Sequence, residues 1–316
     1  MSVALKAWLR PLGSILAVVG CAWVVWQFAH QEAWSRLASS AHWGALIRGA
    51  AVAVPVYLLG LCLVATAWCL LQNALLESSA TYGRLFPVYA TTQFAKYTPG
   101  NVAHYVGRHV LLRRIGLGHV ALLFGTLAEA SMLVVAAMAW AWPALPQWRA
   151  YLTWSPSIAG CLLIAWLLIY LGTVLLSGLR ARSRWLQMWT PPLRPMAIAR
   201  VFPLYCAFFC CMALAMEVPA HALVEGGVPL PLLAMAAAAS WVAGFLVVGA
   251  PAGLGVREAV FLLLLRGQLA QEDILVLAAT FRVISFAGDV GLLLIGVVAT
   301  RMNFSGAARG DVGTDR

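Results

Sequence analysis

Across 316 residues the chain is 63% hydrophobic and only 10% charged, with a formal charge of +10 and a mean hydropathy of +0.87. Soluble domains carry about 25% charged residues, so this composition excludes a soluble domain and predicts an all-α integral membrane protein. Nucleic acid does not explain the positive charge, because the arginines fall in short loops between apolar runs, as in cytoplasmic loops beside anionic lipid.

A membrane-spanning helix needs about 20 mostly apolar residues. Leu12–Ala29, Arg48–Leu71, His119–Trp142, Ile158–Leu179, Val201–Val224, Leu230–Gly249 and Ile274–Thr300 meet that length. The basic start with Lys6 and Arg10 mimics a signal peptide. Leu12–Ala29, however, is longer than a signal core and has no small-x-small cleavage site before His30, so it reads as a retained first helix. Two further apolar stretches are too short or too broken to cross simply: Leu85–Leu112, interrupted by Pro99-Gly100, and Ala250–Leu265. The expected architecture is about seven transmembrane helices plus two broken or re-entrant segments. They form one membrane domain over 1–304, followed by a polar, disordered tail over 305–316.

Loop charge sets the expected orientation. Lys6 and Arg10 at the start, Arg108, Arg113 and Arg114 after the first break, and Arg180, Arg182, Arg184, Arg194 and Arg200 after the fourth helix all belong on the cytoplasmic side. Alternate loops are poor in basic residues: 144–157 has only Arg149, and 225–229 has none. The chain is therefore expected to be a multi-pass protein of the cell's inner (plasma) membrane with a cytoplasmic N-terminus. Seven cysteines, all inside apolar runs, read as small packing residues rather than disulfide partners or metal ligands.

Chemistry concentrates at the two breaks. The first reads Lys96-Tyr97-Thr98-Pro99-Gly100-Asn101-Val102-Ala103-His104-Tyr105-Val106-Gly107-Arg108, and the second Pro251-Ala252-Gly253-Leu254-Gly255-Val256-Arg257-Glu258. Irregular backbone at membrane depth is tolerated only where it is buried in protein or lines a water-filled cavity. Each break is followed by an arginine, and each lies between longer helices, which gives a weak internal repeat of the kind that marks transporter sites. Helix-start amides, Arg108 and Arg257 suit a phosphate, with Lys96 a third cation and Thr98, Asn101 and His104 as hydrogen-bonding groups for a headgroup.

Ionisable groups inside apolar runs are functional hypotheses by default. Glu129, Glu217, Arg282 and Asp289 are of this kind. Glu129 is expected to pair with Arg108, Glu217 or Asp289 with Arg257, and Glu258 to position Arg257. Arg282 and Asp289 are seven residues apart, too far for a direct pair, so each should meet another segment. Pairing that merely holds the helices together is the structural alternative. No metal or cofactor is expected, since no second ligand stands at metal spacing from His104. No nucleophile elbow, Asp-x-Asp motif or Walker loop is present, so the chain is not read as an enzyme.

At these residues the sequence resembles the transmembrane, flippase-like domain of lysylphosphatidylglycerol synthases, which also occurs as stand-alone membrane proteins. The resemblance is carried by Lys96 to Asn101 with Gly107-Arg108, by Arg113-Arg114 with Gly116, by Pro251 to Glu258, and by Arg282. It extends from about Leu12 to Thr300. Many members have a Gly-Glu pair shortly after the first Pro-Gly, where this chain has Ala103-His104-Tyr105. The resemblance implies movement of a lipid or lipid-linked glycan between leaflets: aminoacylated phosphatidylglycerol, polyprenyl-phosphate sugars or hopanoid-type lipids in different members. The lysyl-transferring step belongs to a separate soluble domain, for which these residues have no stretch. The expected function is a translocase for an anionic or polyprenyl-phosphate-linked lipid. The alternatives are an accessory subunit among envelope-biosynthesis partners or a membrane enzyme acting on such a lipid.

Overall fold

The computed structural model describes residues 40–75, 82–98, 102–142, 156–224, 227–247 and 250–310. The expected first helix Leu12–Ala29, and Pro99, Gly100 and Asn101 of the first break, lie outside them. The described chain is helical throughout, as expected. In order it forms α1 (Ser40–Leu75), α2 (Tyr82–Gln93) with a 3-10 turn at Phe94–Tyr97, α3 (Ala103–Arg114), α4 (His119–Ala141) and α5 (Pro156–Arg182). Then come α6 (Arg184–Trp189), α7 (Pro195–Ala199), α8 (Phe202–Leu223), α9 (Leu230–Leu246) with a 3-10 turn at Pro251–Gly253, α10 (Val256–Leu265) and α11 (Gln271–Gly310).

Five of these helices are long and apolar enough to cross a membrane: α1, α4, α5, α8 extended back through α7, and α11. The expected crossing at Leu230–Gly249 is corrected to a shorter element. It opens at Pro229 and ends where Val247 turns extended (φ −77, ψ 95), leaving 17 residues or about 25 Å of helix. The last helix runs on to Gly310, into the stretch read from sequence as a tail.

Helices 40–75 and 202–223 form the largest contact of the core. Glycine lets them approach closely: a Cβ on Gly60 would stand 3.0 Å from Cys211 Cβ and 3.2 Å from Phe208 Cδ2. The last helix packs along α2 and α1 in the same way. A Cβ on Gly296 would meet Ala90 Cβ at 2.7 Å and the Thr91 amide nitrogen at 3.0 Å. Such small-residue contacts hold helices together where lipid removes the hydrophobic drive between them. By contrast α5 is peripheral, with Leu163, Leu168, Leu171 and Leu175 exposed. The six described cysteines are unbridged.

One order of elements occurs twice. A long helix (α1 or α8) leads to a shorter one (α2 or α9), a 3-10 turn, a short helix carrying an arginine (α3 or α10), and a long helix carrying buried or half-buried charge (α4 or α11). The 3-10 turns of the two halves touch each other. The polar breaks, far apart in sequence, therefore share one region of the molecule.

Candidate functional site

The second break is a backbone reversal with an unusual conformation. Ala252 has φ 50, and Gly253 and Gly255 have φ 71 and 77. Glycine accepts this left-handed region freely, whereas an alanine there is strained by about 1–2 kcal/mol. Two contacts hold the turn. The Arg282 Nη1 donates to the Ala252 carbonyl at 3.3 Å. The Gly255 amide donates to Glu258 Oε2 at 2.8 Å, tying the first turn of α10 back to its N-cap.

Glu258 is thus committed on both oxygens, because Arg282 Nη2 lies 2.8 Å from its Oε1. This corrects the expectation that Glu258 positions Arg257. The pairing expected for Asp289 is corrected too. Its carboxylate takes Lys96 Nζ at 2.7 Å and the Tyr97 hydroxyl at 2.6 Å, both from the first break. Asp289 and Lys96 form an ion pair between the two halves. As expected, Arg282 and Asp289 each meet another segment.

The first half closes on itself. Arg108 Nη1 donates to Glu129 Oε2 at 2.7 Å, and its Nη2 to Gln93 Oε1 at 3.0 Å. The Tyr89 hydroxyl holds the other Glu129 oxygen at 3.0 Å. Tyr89 also lies face-on to the guanidinium, with the ring centroid 3.7 Å from Cζ, and Trp68 follows at 4.8 Å. Glu129 sits near the middle of α4, and both partners are about 2% exposed or less. The Arg108–Glu129 pair is the one expected from sequence. Its depth leaves Arg108 no face for a headgroup, which corrects its assignment as a binding residue. The physical reason is desolvation: a charge this deep needs a partner with several hydrogen bonds.

Arg257 is different. It has no carboxylate partner among the described residues, and its Nε is buried without a hydrogen bond. Glu217, the other partner expected for it, is half-buried on α8 and forms no ion pair among the described residues. The Arg257 side chain threads a slot between two glycines. A Cβ on Gly244 would stand 2.5 Å from its Cγ, and one on Gly253 2.6 Å from its Nε. The Trp241 ring centroid lies 5.8 Å from its Cζ. Gly244→Ala should therefore displace the guanidinium without removing its charge. If Arg257 serves an anionic ligand, binding of an anionic lipid probe to purified protein weakens in this variant, with helicity unchanged by circular dichroism.

Arg257 and Trp241 line two small, partly open cavities. The smaller, about 30 Å³, is bounded by Ser240, Glu258, Arg282 and Ser285 with apolar Met212 and Phe281. The larger, about 60 Å³, is bounded by Gln93, Lys96, His104, Tyr105 and Glu129 with apolar Leu61 and Phe245. Volumes of this size have room for a few waters, far below the ~300–1,000 Å³ of typical ligand pockets. A ligand of headgroup size would fit only if the helices around Arg257 separated. His104 is 5% exposed, and its Nδ1 has no partner. Thr98 is exposed and donates to the Ala95 carbonyl of its own turn, so it contributes no cavity group. A wider depression of about 620 Å³ lies beside Leu117, Arg180 and Thr190. Its arginine donates to the Thr190 carbonyl, and it lies apart from the buried cluster. Among the described residues no three His, Cys, Asp or Glu gather to hold a metal.

Aromatic and amide groups of the site escape a reading based on charge. Tyr89, Gln93 and Trp241 lie in runs that look simply apolar or helical, and Tyr97, inside the first break, carries no charge to single it out. Their one sequence signal is position, since Gln93 and Tyr97 flank Lys96 within a turn. No protein-family model matches the chain, and no curated protein matches it.

Proposed function

We propose that the chain binds the headgroup of an anionic membrane lipid at Arg257 and carries it between leaflets. The observation that carries this reading is the lack of a carboxylate for Arg257 among the described residues, at two cavities with charged groups in their walls between helices long and apolar enough to span a bilayer. Ionisable groups at that depth pair or serve a substrate pathway. Lys96, Arg108 and Arg282 each have a carboxylate partner, and Arg257 takes its counter-charge from the ligand. Lys96 and His104 line the approach, and Glu258 with Arg282 holds the break in shape.

Two broken segments meeting between matching halves support a movement in which one half rocks against the other around the site. The small cavity volumes belong to a closed arrangement, and opening around the Gly244–Gly253 contact would widen them. Reconstitution tests the reading. Purified protein in vesicles with a fluorescent anionic lipid in both leaflets should make the inner pool accessible to an external quencher. Vesicles no faster than protein-free controls, with or without an ion gradient, would remove the translocase reading.

A further inference from the structure

The charges around the cavities can be counted, and the count constrains the ligand. Among the described residues, those in the cavity walls and their ion-pair partners comprise four cations, Lys96, Arg108, Arg257 and Arg282, and three carboxylates, Glu129, Glu258 and Asp289. Three ion pairs consume all three carboxylates and leave one positive charge. Each carboxylate also has its second oxygen held: Glu129 by Tyr89, Glu258 by the Gly255 amide, and Asp289 by Tyr97. Among the described residues, no carboxylate at the cavities is therefore free to receive an amine.

From this balance we infer that the site accepts a headgroup with one net negative charge and no cationic amine, namely a phosphodiester lipid whose remaining groups are neutral. The inference rests on the lipid-binding reading of Arg257 and narrows it. A zwitterionic phosphoethanolamine would bring an ammonium with no counter-charge beside Arg257. An aminoacylated phosphatidylglycerol brings at least one ammonium, and a lysylated one brings two, so the aminoacyl lipids implied by the family resemblance are disfavoured. A phosphomonoester carries nearly two negative charges at neutral pH, of which Arg257 offsets one. In a low-dielectric cavity an uncompensated charge is costly, so charge decides selectivity here more than shape does. The polar groups in the wall of the larger cavity, with the His104 Nδ1 lacking a hydrogen-bond partner among the described residues, suit hydroxyls on the same headgroup.

Glu258→Gln and Arg257→Gln test the count by moving it in opposite directions. The first raises the net charge to two and keeps an amide oxygen to accept from the Gly255 amide; the second lowers it to zero. Competition binding by native mass spectrometry would use the full chain in detergent, with phosphatidylglycerol, phosphatidylethanolamine, phosphatidic acid and lysyl-phosphatidylglycerol as probes. The unchanged chain should prefer phosphatidylglycerol over each of the others by about tenfold or more. Glu258→Gln should shift preference to phosphatidic acid, and Arg257→Gln to phosphatidylethanolamine. A folding defect would lower binding of all four probes and reverse no preference. Equal binding of the four probes, no binding at all, or the same order of preference in both variants would overturn the inference. Charge-selective binding without transport would remove the translocase reading and leave the count standing. Transport that ignores headgroup charge would do the reverse.

Discussion

Arg257→Ala is expected to abolish lipid transport while leaving the protein folded, because this guanidinium has no carboxylate partner among the described residues to strand. Truncating one member of a desolvated charge pair costs about 2–5 kcal/mol. If the other member is the ligand, that loss falls on affinity, about 30-fold or more. Thermal stability should be unchanged or slightly raised, because a cation with a buried, unbonded Nε is removed and Trp241 and Gly244 remain to close the space. Fluorescence thermal shift beside the vesicle assay separates the two effects. A large loss of stability would make Arg257 a structural residue, and retained transport would make it irrelevant to the cargo.

Glu129→Ala should behave in the opposite way. It leaves Arg108 in the core with Gln93 as its remaining side-chain hydrogen-bond partner, under the faces of Tyr89 and Trp68. Breaking a buried pair from one side costs about 3–5 kcal/mol, enough to remove most folded protein from a marginally stable chain. The expected result is aggregation or a steep fall in thermal midpoint during size-exclusion analysis in detergent. Arg108→Met combined with Glu129→Leu should recover most of that stability, since well-packed apolar replacements of a buried pair are often neutral or better. Recovery of stability with transport intact would show that Arg108 serves the fold alone. Failure of the double variant to recover would mean that the pair contributes more than mutual neutralisation.

Much of this arrangement is legible in the residues. Spans such as His119–Trp142 and Ile158–Leu179 agree with the observed helices to within a few residues, because apolar length is what a bilayer selects. The breaks are legible because Pro-Gly and clustered polar groups are out of place in a spanning helix. The Arg108–Glu129 pair is legible because neither charge tolerates its setting alone. Two features are not. Leu230–Leu246 is shorter than its apolar run, and only the backbone turn at Val247 shows where it stops. The partner of Asp289 depends on how the halves fold together: Lys96 lies 193 positions away and reaches it because the last helix packs on the first break. With Asp289 committed to Lys96 and Glu258 to Arg282, Arg257 is left over. That outcome is a property of tertiary packing, and no local pattern around Arg257 encodes it.

The most direct measurement is an experimental structure of the full chain in nanodiscs containing phosphatidylglycerol, at a resolution that shows the surroundings of the Arg257 guanidinium. The account predicts a lipid phosphate against Arg257, with the Lys96–Asp289 and Arg282–Glu258 pairs intact. A protein carboxylate closing on Arg257, from Glu217 or from a segment outside the described residues, would contradict it and make the cluster a neutral structural core.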